Sequence, residues 1–197
     1  PFPYESDETT HFTIMDSQGN TVTSTQTING WFGSSLVAPG TGIVLNNEMD
    51  DFATKVGASN LFGAIGGDKN LVEPGKRPLS SMSPTIVFDK GEPLLALGTP
   101  SGTRILTCVA QTILNYLEYE LPLYESVSAL RFHHQWAPDY IRVEEPGFDQ
   151  QTTATLKQYG YDIVQKNLGC RIQAISRTNG VLTGVSDPRG EGSSSGI

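Results

Sequence analysis

The sequence predicts an antiparallel α+β layer fold, and three observations predict it. Runs alternating apolar and polar residues lie towards both ends, an apolar stripe at four-residue spacing lies in the middle, and turn-forming residues separate them. The 197 residues fit one domain, of a size that buries about 70% of the surface its unfolded chain would expose, so neither disulfides nor metals are required. A net charge of −8 argues against a nucleic-acid or anionic-membrane partner, since both need a basic face. No apolar run is long enough to span a bilayer. Cys108 and Cys170 lie far apart in no metal-ligand spacing, and they read first as buried free thiols, with a single disulfide as the alternative. Pro1 is not an initiator methionine, so the chain reads as a piece of a longer product with any signal peptide upstream.

Residues Pro1 to Glu8 are polar and proline-containing and read as an extended linker. From Thr10 the pattern alternates, turns at Asp16-Ser17-Gln18-Gly19-Asn20, and alternates again to Ile28. This is a β-hairpin whose ends bring Thr9 and Thr27 together. Asn29 to Gly42 is glycine-rich loop, Ile43-Val44-Leu45 a short buried strand, and Lys55 to Pro78 a loop long enough to serve as a lid or binding loop. Pro84 to Phe88 and Leu94 to Leu97 form a second hairpin. Gly98-Thr99-Pro100-Ser101-Gly102 then turns into a helix from about Thr103 to Tyr119, with Ile105, Val109, Ile113 and Leu117 on one stripe. A short helix at Tyr124–Ala129 follows, then a strand at Tyr140–Val143 and a helix at Gln150–Tyr159 stopped by Gly160. Strands near Asp162–Gln165, Arg171–Ser176 and Val181–Ser186 close the chain before a serine- and glycine-rich tail.

Chemistry concentrates at Thr9-Thr10-His11-Phe12. A mid-chain threonine is a poor nucleophile, because its hydroxyl lacks a base. At a chain start its own α-amine, with a pKa of roughly 7.7–8.0, can take the hydroxyl proton. The bland alternative, two threonines opening a strand, is set aside because of what lies downstream. There stand Asn46-Asn47-Glu48-Met49-Asp50-Asp51-Phe52, Lys76-Arg77-Pro78-Leu79-Ser80-Ser81-Met82-Ser83-Pro84-Thr85 and Gly98-Thr99-Pro100-Ser101-Gly102, followed by Arg131-Phe132-His133-His134-Gln135-Trp136 and Ser186-Asp187-Pro188-Arg189.

In order and spacing, these segments resemble the small subunit of γ-glutamyltranspeptidases over nearly the whole chain. The resemblance implies an N-terminal-nucleophile hydrolase fold, an αββα four-layer sandwich with sheets completed by the large subunit of the same precursor. It implies self-cleavage at Glu8–Thr9. Residues 1–8 are then the end of the large-subunit pro-segment, and residues 9–197 the small-subunit catalytic domain. The implied reaction moves a γ-glutamyl group from glutathione or related amides to water or an amine, through an ester on Thr9.

Further roles follow from the resemblance. Thr27 orients the nucleophile, and the backbone N–H groups of Ser101 and Gly102 hold the oxyanion. Ser101 departs from the two glycines usual there, although a backbone contact survives a side-chain change. Asn29, Glu48 and Asp51 would take the α-ammonium of the glutamyl group. Ser80 and Ser81 would take its α-carboxylate, with an arginine from the large subunit. Val56 to Gly67 corresponds to a lid, with Phe62 where many members carry tyrosine. No cofactor or metal is implied. His133 and His134 read as structural, since adjacent side chains in extended chain face opposite ways and no third ligand is in spacing. His11 likewise reads as a packing or hydrogen-bonding neighbour of the nucleophile. By family habit the location is periplasmic or extracellular.

Two other functions compete. A glutaryl-cephalosporin acylase or poly-γ-glutamate depolymerase would share the fold, but a glutaryl group lacks the α-amine that Glu48 and Asp51 would bind. An unprocessed, non-catalytic homologue would keep the Glu8–Thr9 bond, and with it an amide where a basic amine is needed.

Overall fold

The computed structural model describes residues 9–196, so the linker and pro-segment expected over 1–8 lie outside the described residues. Strands Thr9–Met15 (β1) and Thr21–Thr27 (β2) pair antiparallel, Thr9 opposite Thr27 and Met15 opposite Thr21. Asp16 builds their turn, its Oδ1 accepting from the N–H groups of Gln18 and Asn20. Thr85–Asp89 (β3) and Glu92–Gly98 (β4) form the second hairpin. Helices Ile105–Leu117 (α1) and Leu123–Ser128 (α2) follow, then strands Phe132–His133 (β5) and Ile141–Val143 (β6). Helix Gln150–Gln158 (α3) is capped by Asp149, which accepts from the Thr152 N–H. Strands Ile163–Gln165 (β7), Gln173–Thr178 (β8) and Val181–Ser186 (β9) complete the chain.

The main sheet runs β3-β4-β8-β9, antiparallel throughout. Alternation along β4 sends Leu95 and Leu97 to one face, where they join Ile105, Cys108 and Val109 of α1, Leu123 and Val127 of α2, and Ile172 and Ala174 in the apolar core. The other face meets the β1–β2 hairpin: Thr13 Oγ1 donates to the carbonyl of Gln173, and Thr23 Oγ1 to that of Leu97. Gly98 is what lets the layers approach, since a Cβ there would lie 2.2 Å from Cε1 of His11. The chain thus stacks helices, sheet and hairpin. The hairpin's outer face is bare, with Phe12, Ile14 and Val22 exposed by 39%, 59% and 54%.

Four expectations need correction. The fold is not wholly antiparallel: in the small β5-β6-β7 sheet, β6 and β7 run parallel, because α3 supplies the crossover that parallel strands require. Cys108 and Cys170 are not free thiols but a disulfide, α1 and the loop before β8 meeting across 62 residues of sequence. Ile43-Val44-Leu45 is not a buried strand. It makes an isolated bridge, Val44 to Val37, flanked by a few backbone hydrogen bonds, and all three side chains are exposed because none of the described residues covers them. The α1 stripe is also displaced towards Ile105, Cys108, Val109 and Thr112, while Leu117 reaches the surface.

Charge holds the rear of the fold together. Arg131, fully buried, spans Glu144 and Asp187, with its Nη1 2.9 Å from Asp187 Oδ2. Arg189 closes the network on Glu144 and Asp187 and donates to the last carbonyls of α2. Arg131 and Asp187 themselves therefore serve the scaffold.

Candidate active site

Site geometry begins with the hairpin register. Because Thr9 and Thr27 are paired ends of β1 and β2, their hydroxyls meet: Thr9 Oγ1 donates to Thr27 Oγ1 at 2.9 Å. Thr27 Oγ1 also accepts from the Asn29 N–H at 2.8 Å, which fixes its lone pairs. Asn29 itself is buried at a positive φ of 74°, a conformation asparagine tolerates, and its Nδ2 donates to the Asn47 carbonyl. Below Thr9, His11 is buried between the layers. Its Nδ1 lies 2.8 Å from Thr25 Oγ1, and its Nε2 3.0 and 3.1 Å from the hydroxyls of Thr23 and Thr13. Burial lowers its pKa to about 4, so it is neutral at pH 7 and acts as packing.

Thr9 and Thr27 open onto a cleft of about 270 Å³. Asn29, Asp51, Phe62, Ser80, Ser81 and Gly102 line it with them, drawn from five segments far apart in sequence. A larger hollow of about 530 Å³ lies behind, under the loop that follows Asp50, and shares Asp51 and Ser81 with the cleft.

The acidic end comes from a 3-10 turn, Glu48–Asp51, whose carboxylates converge. Partial burial and the neighbouring Asp51 push the Glu48 pKa up to about 7, and burial also raises that of Asp51. Both carboxyls are thereby protonated more readily than exposed ones. Asn60 Nδ2 donates to Asp51 Oδ1, and Asn70 ties the turn to the serine loop, giving its Nδ2 to the Asp51 carbonyl and accepting from Leu79 N–H.

At the opposite wall, β4 ends and the chain turns at Ser101 and Gly102 into a 3-10 turn leading to α1. Gly102 lines the cleft; Ser101 is buried with a φ of 124°, where side chains are rarely found. Its hydroxyl points away from the cleft and donates to the Leu168 carbonyl at 2.5 Å, while Arg104 Nε donates to both. A serine is thus accommodated where glycine was expected because its side chain has a buried acceptor.

The loop over the cleft is ordered by backbone contacts. Asn60 Oδ1 accepts from the N–H groups of Phe62 and Ala64, and Asp50 Oδ2 from that of Leu61. Phe62 rests on the turn, so a Cβ on Gly102 would lie 2.5 Å from its Cδ1.

Of the ten expected site residues, eight line one cleft; Glu48 joins through Asp51, and Ser101 through its backbone alone. Sequence reasoning missed Asn60, Asn70, Thr103 and Gln135, which tie these segments together. Asn60 and Asn70 look like ordinary loop polarity, Thr103 merely starts the expected helix, and Gln135 stands in a matching segment with no role of its own.

Comparison with known proteins follows the same outline. A family model described as Gamma-glutamyltranspeptidase matches residues 3–197. The Glutathione hydrolase proenzyme of Escherichia coli (strain K12) is 47% identical over 188 residues, covering 95% of this chain and 32% of its own length. The Glutathione hydrolase proenzyme of Pseudomonas aeruginosa is 45% identical over 193 residues, with coverages of 95% and 34%. The chain therefore spans about a third of the length of these curated relatives. Among solved structures, a Pseudomonas nitroreducens γ-glutamyltranspeptidase complexed with L-DON superposes with a TM-score of 0.89 at 44% identity, covering 95% of this chain and 99% of that one. For a mutant of the Helicobacter pylori enzyme the values are 0.88 and 46%, with 92% and 100% covered.

Proposed function

We propose, from the premise that this chain belongs to the γ-glutamyltranspeptidase family, that residues 9–197 are the small, catalytic subunit of a γ-glutamyl transferase and hydrolase. Residues 1–8 are then the end of the large-subunit segment, and its substrates are glutathione and other γ-glutamyl amides. The observation that carries this reading is the Thr9–Thr27 hydroxyl pair, opening onto the same cleft as Asp51 and Gly102.

Chemistry starts with the Glu8–Thr9 bond, whose cleavage turns an amide nitrogen into a basic amine. Thr9 Oγ1, oriented by Thr27, attacks the γ-carbonyl carbon, and its proton passes to that amine. The oxyanion is met by the N–H groups at Ser101 and Gly102, each such donor being worth about 10²–10³-fold in rate. The C–N bond breaks, the amine returns the proton to the leaving nitrogen, and a γ-glutamyl ester remains on Thr9. Water or an amine then attacks the ester carbonyl and releases the threonine. The substrate's ammonium pairs with Glu48 and Asp51, and Ser80 and Ser81 meet its carboxylate.

Two features support a second subunit. The solved relatives are covered over 99–100% of their chains while the proenzymes are covered over about a third, which fits a proenzyme divided into two chains. The bare outer face of the hairpin, with Phe12, Ile14 and Val22, is a surface for that subunit to cover. The acylase alternative is weakened by the carboxylate pair, which a glutaryl group cannot use.

Mass spectrometry of the full-length precursor, fresh and incubated, tests the reading. A fragment beginning at Thr9 is expected to accumulate together with γ-glutamyl hydrolysis, and neither is expected in Thr9→Ala. Turnover by protein that still carries the intact Glu8–Thr9 bond would falsify the mechanism.

A further inference from the structure

Gln135, which no step above uses, joins the loop carrying Phe62 to the first turn before α1. Its Nε2 donates towards the carbonyls of Gly63 at 3.2 Å, Phe62 at 3.5 Å and Ala137 at 3.1 Å. Its Oε1 accepts from Thr103 Oγ1 at 2.7 Å and from His133 Nε2 at 2.8 Å. His133 in turn lies with its Nδ1 2.9 Å from Thr107 Oγ1 on α1. The carbonyls fix which way the glutamine amide points, because a flip would set its Oε1 against three acceptor oxygens.

On the loop side, Asn60 holds residues 60–64 as a preformed turn. Gly57 and Gly67 flank it with open space where a side chain would stand. The Gln135 amide ties this turn to the wall before α1, beside a longer contact from Thr103 Oγ1 to the Phe62 carbonyl at 3.4 Å. Phe62 in turn covers Gly102, so the position of this loop decides how freely water reaches an ester on Thr9.

We propose that Gln135 is a positioning residue that latches the 56–67 loop over the acylated cleft, and so sets how the γ-glutamyl ester divides between water and an amine. This rests on the γ-glutamyl transfer reading given above. Latched, the loop excludes water and favours the bound amine; released, it favours hydrolysis.

The test uses enzyme matured from its full-length precursor, carrying Gln135→Glu or Gln135→Ala. Glutamate keeps the acceptor for Thr103 and His133 but turns a second oxygen towards the Phe62 and Gly63 carbonyls. Two readouts are compared: amide hydrogen exchange over residues 58–66, and the ratio of transfer to glycylglycine over hydrolysis. In both variants we expect loop exchange to rise about tenfold and the ratio to fall about tenfold, which corresponds to about 1.4 kcal/mol. Wild-type exchange and ratio in Gln135→Glu would overturn the proposal, leaving Gln135 a support for Thr103 and His133 only. If the matured wild type forms no γ-glutamyl ester, the reaction reading fails instead, and hydrogen exchange alone decides the latch.

Discussion

The two faces of the four-stranded sheet are built on opposite principles. On the helix side, Leu95, Leu97, Ile105, Val109 and Ile172 pack with the Cys108–Cys170 disulfide in a fully apolar layer. On the hairpin side, the contact is made of His11 and the hydroxyls of Thr13, Thr23 and Thr25, closed against Gly98. Apolar packing is non-directional and scales with buried area. Hydrogen bonds between short side chains contribute less net free energy each, but they have fixed lengths and angles. The helix face therefore supplies most of the stability, and the hairpin face sets where Thr9 stands.

The contrast can be broken most strongly on the apolar side. Leu97→Ala should cost about 2–5 kcal/mol in urea unfolding, as buried leucine truncations do, with little change in rate per folded molecule. A comparable loss of rate at full occupancy of the folded state would show that both faces position Thr9.

The polar side should instead respond to pH. His11 is held neutral by burial, with its pKa lowered from 6.5 to about 4. The unfolded chain binds that proton at higher pH than the folded one, so its contribution to stability is complete above pH 6.5 and is lost as pH falls towards 4. By linkage the loss is on the order of 3 kcal/mol. Equilibrium unfolding at pH 7 and pH 4.5 should show this slope, and His11→Gln should flatten it. The smallest effect on stability is expected from Gly98→Ala, about 1–3 kcal/mol for overpacking against His11. Its effect on γ-glutamyl turnover should be the larger one, because the hairpin must shift to admit the methyl group. Unchanged turnover with reduced stability would reverse the assignment of roles.

Local patterns made the elements legible. Alternation from Thr10 to Ile28 fixed the hairpin and hence the Thr9–Thr27 pairing, which a one-residue slip would have turned to opposite faces. Of the motif residues, Thr9, Asp51, Ser80, Ser81 and Gly102 likewise converge on one cleft. What the sequence could not carry was long-range partnership. Nothing local to Cys108 or Cys170 announces a partner 62 residues away, and Ile43-Val44-Leu45 has the composition of a core strand without a core to enter. Ser101 shows the same limit. Its backbone conformation suits glycine, and only the fold brings the Leu168 carbonyl to its hydroxyl. Gln135 has no role of its own until its three carbonyl partners are in place.

One contact between the layers has a bearing on timing. Thr13, four residues past Thr9, is held by the carbonyl of Gln173, 160 positions later. A ribosome delivers the first long before the second, so the hairpin emerges well ahead of the strand it docks against. Translation order therefore sets the order of assembly: hairpin first, its bed long afterwards.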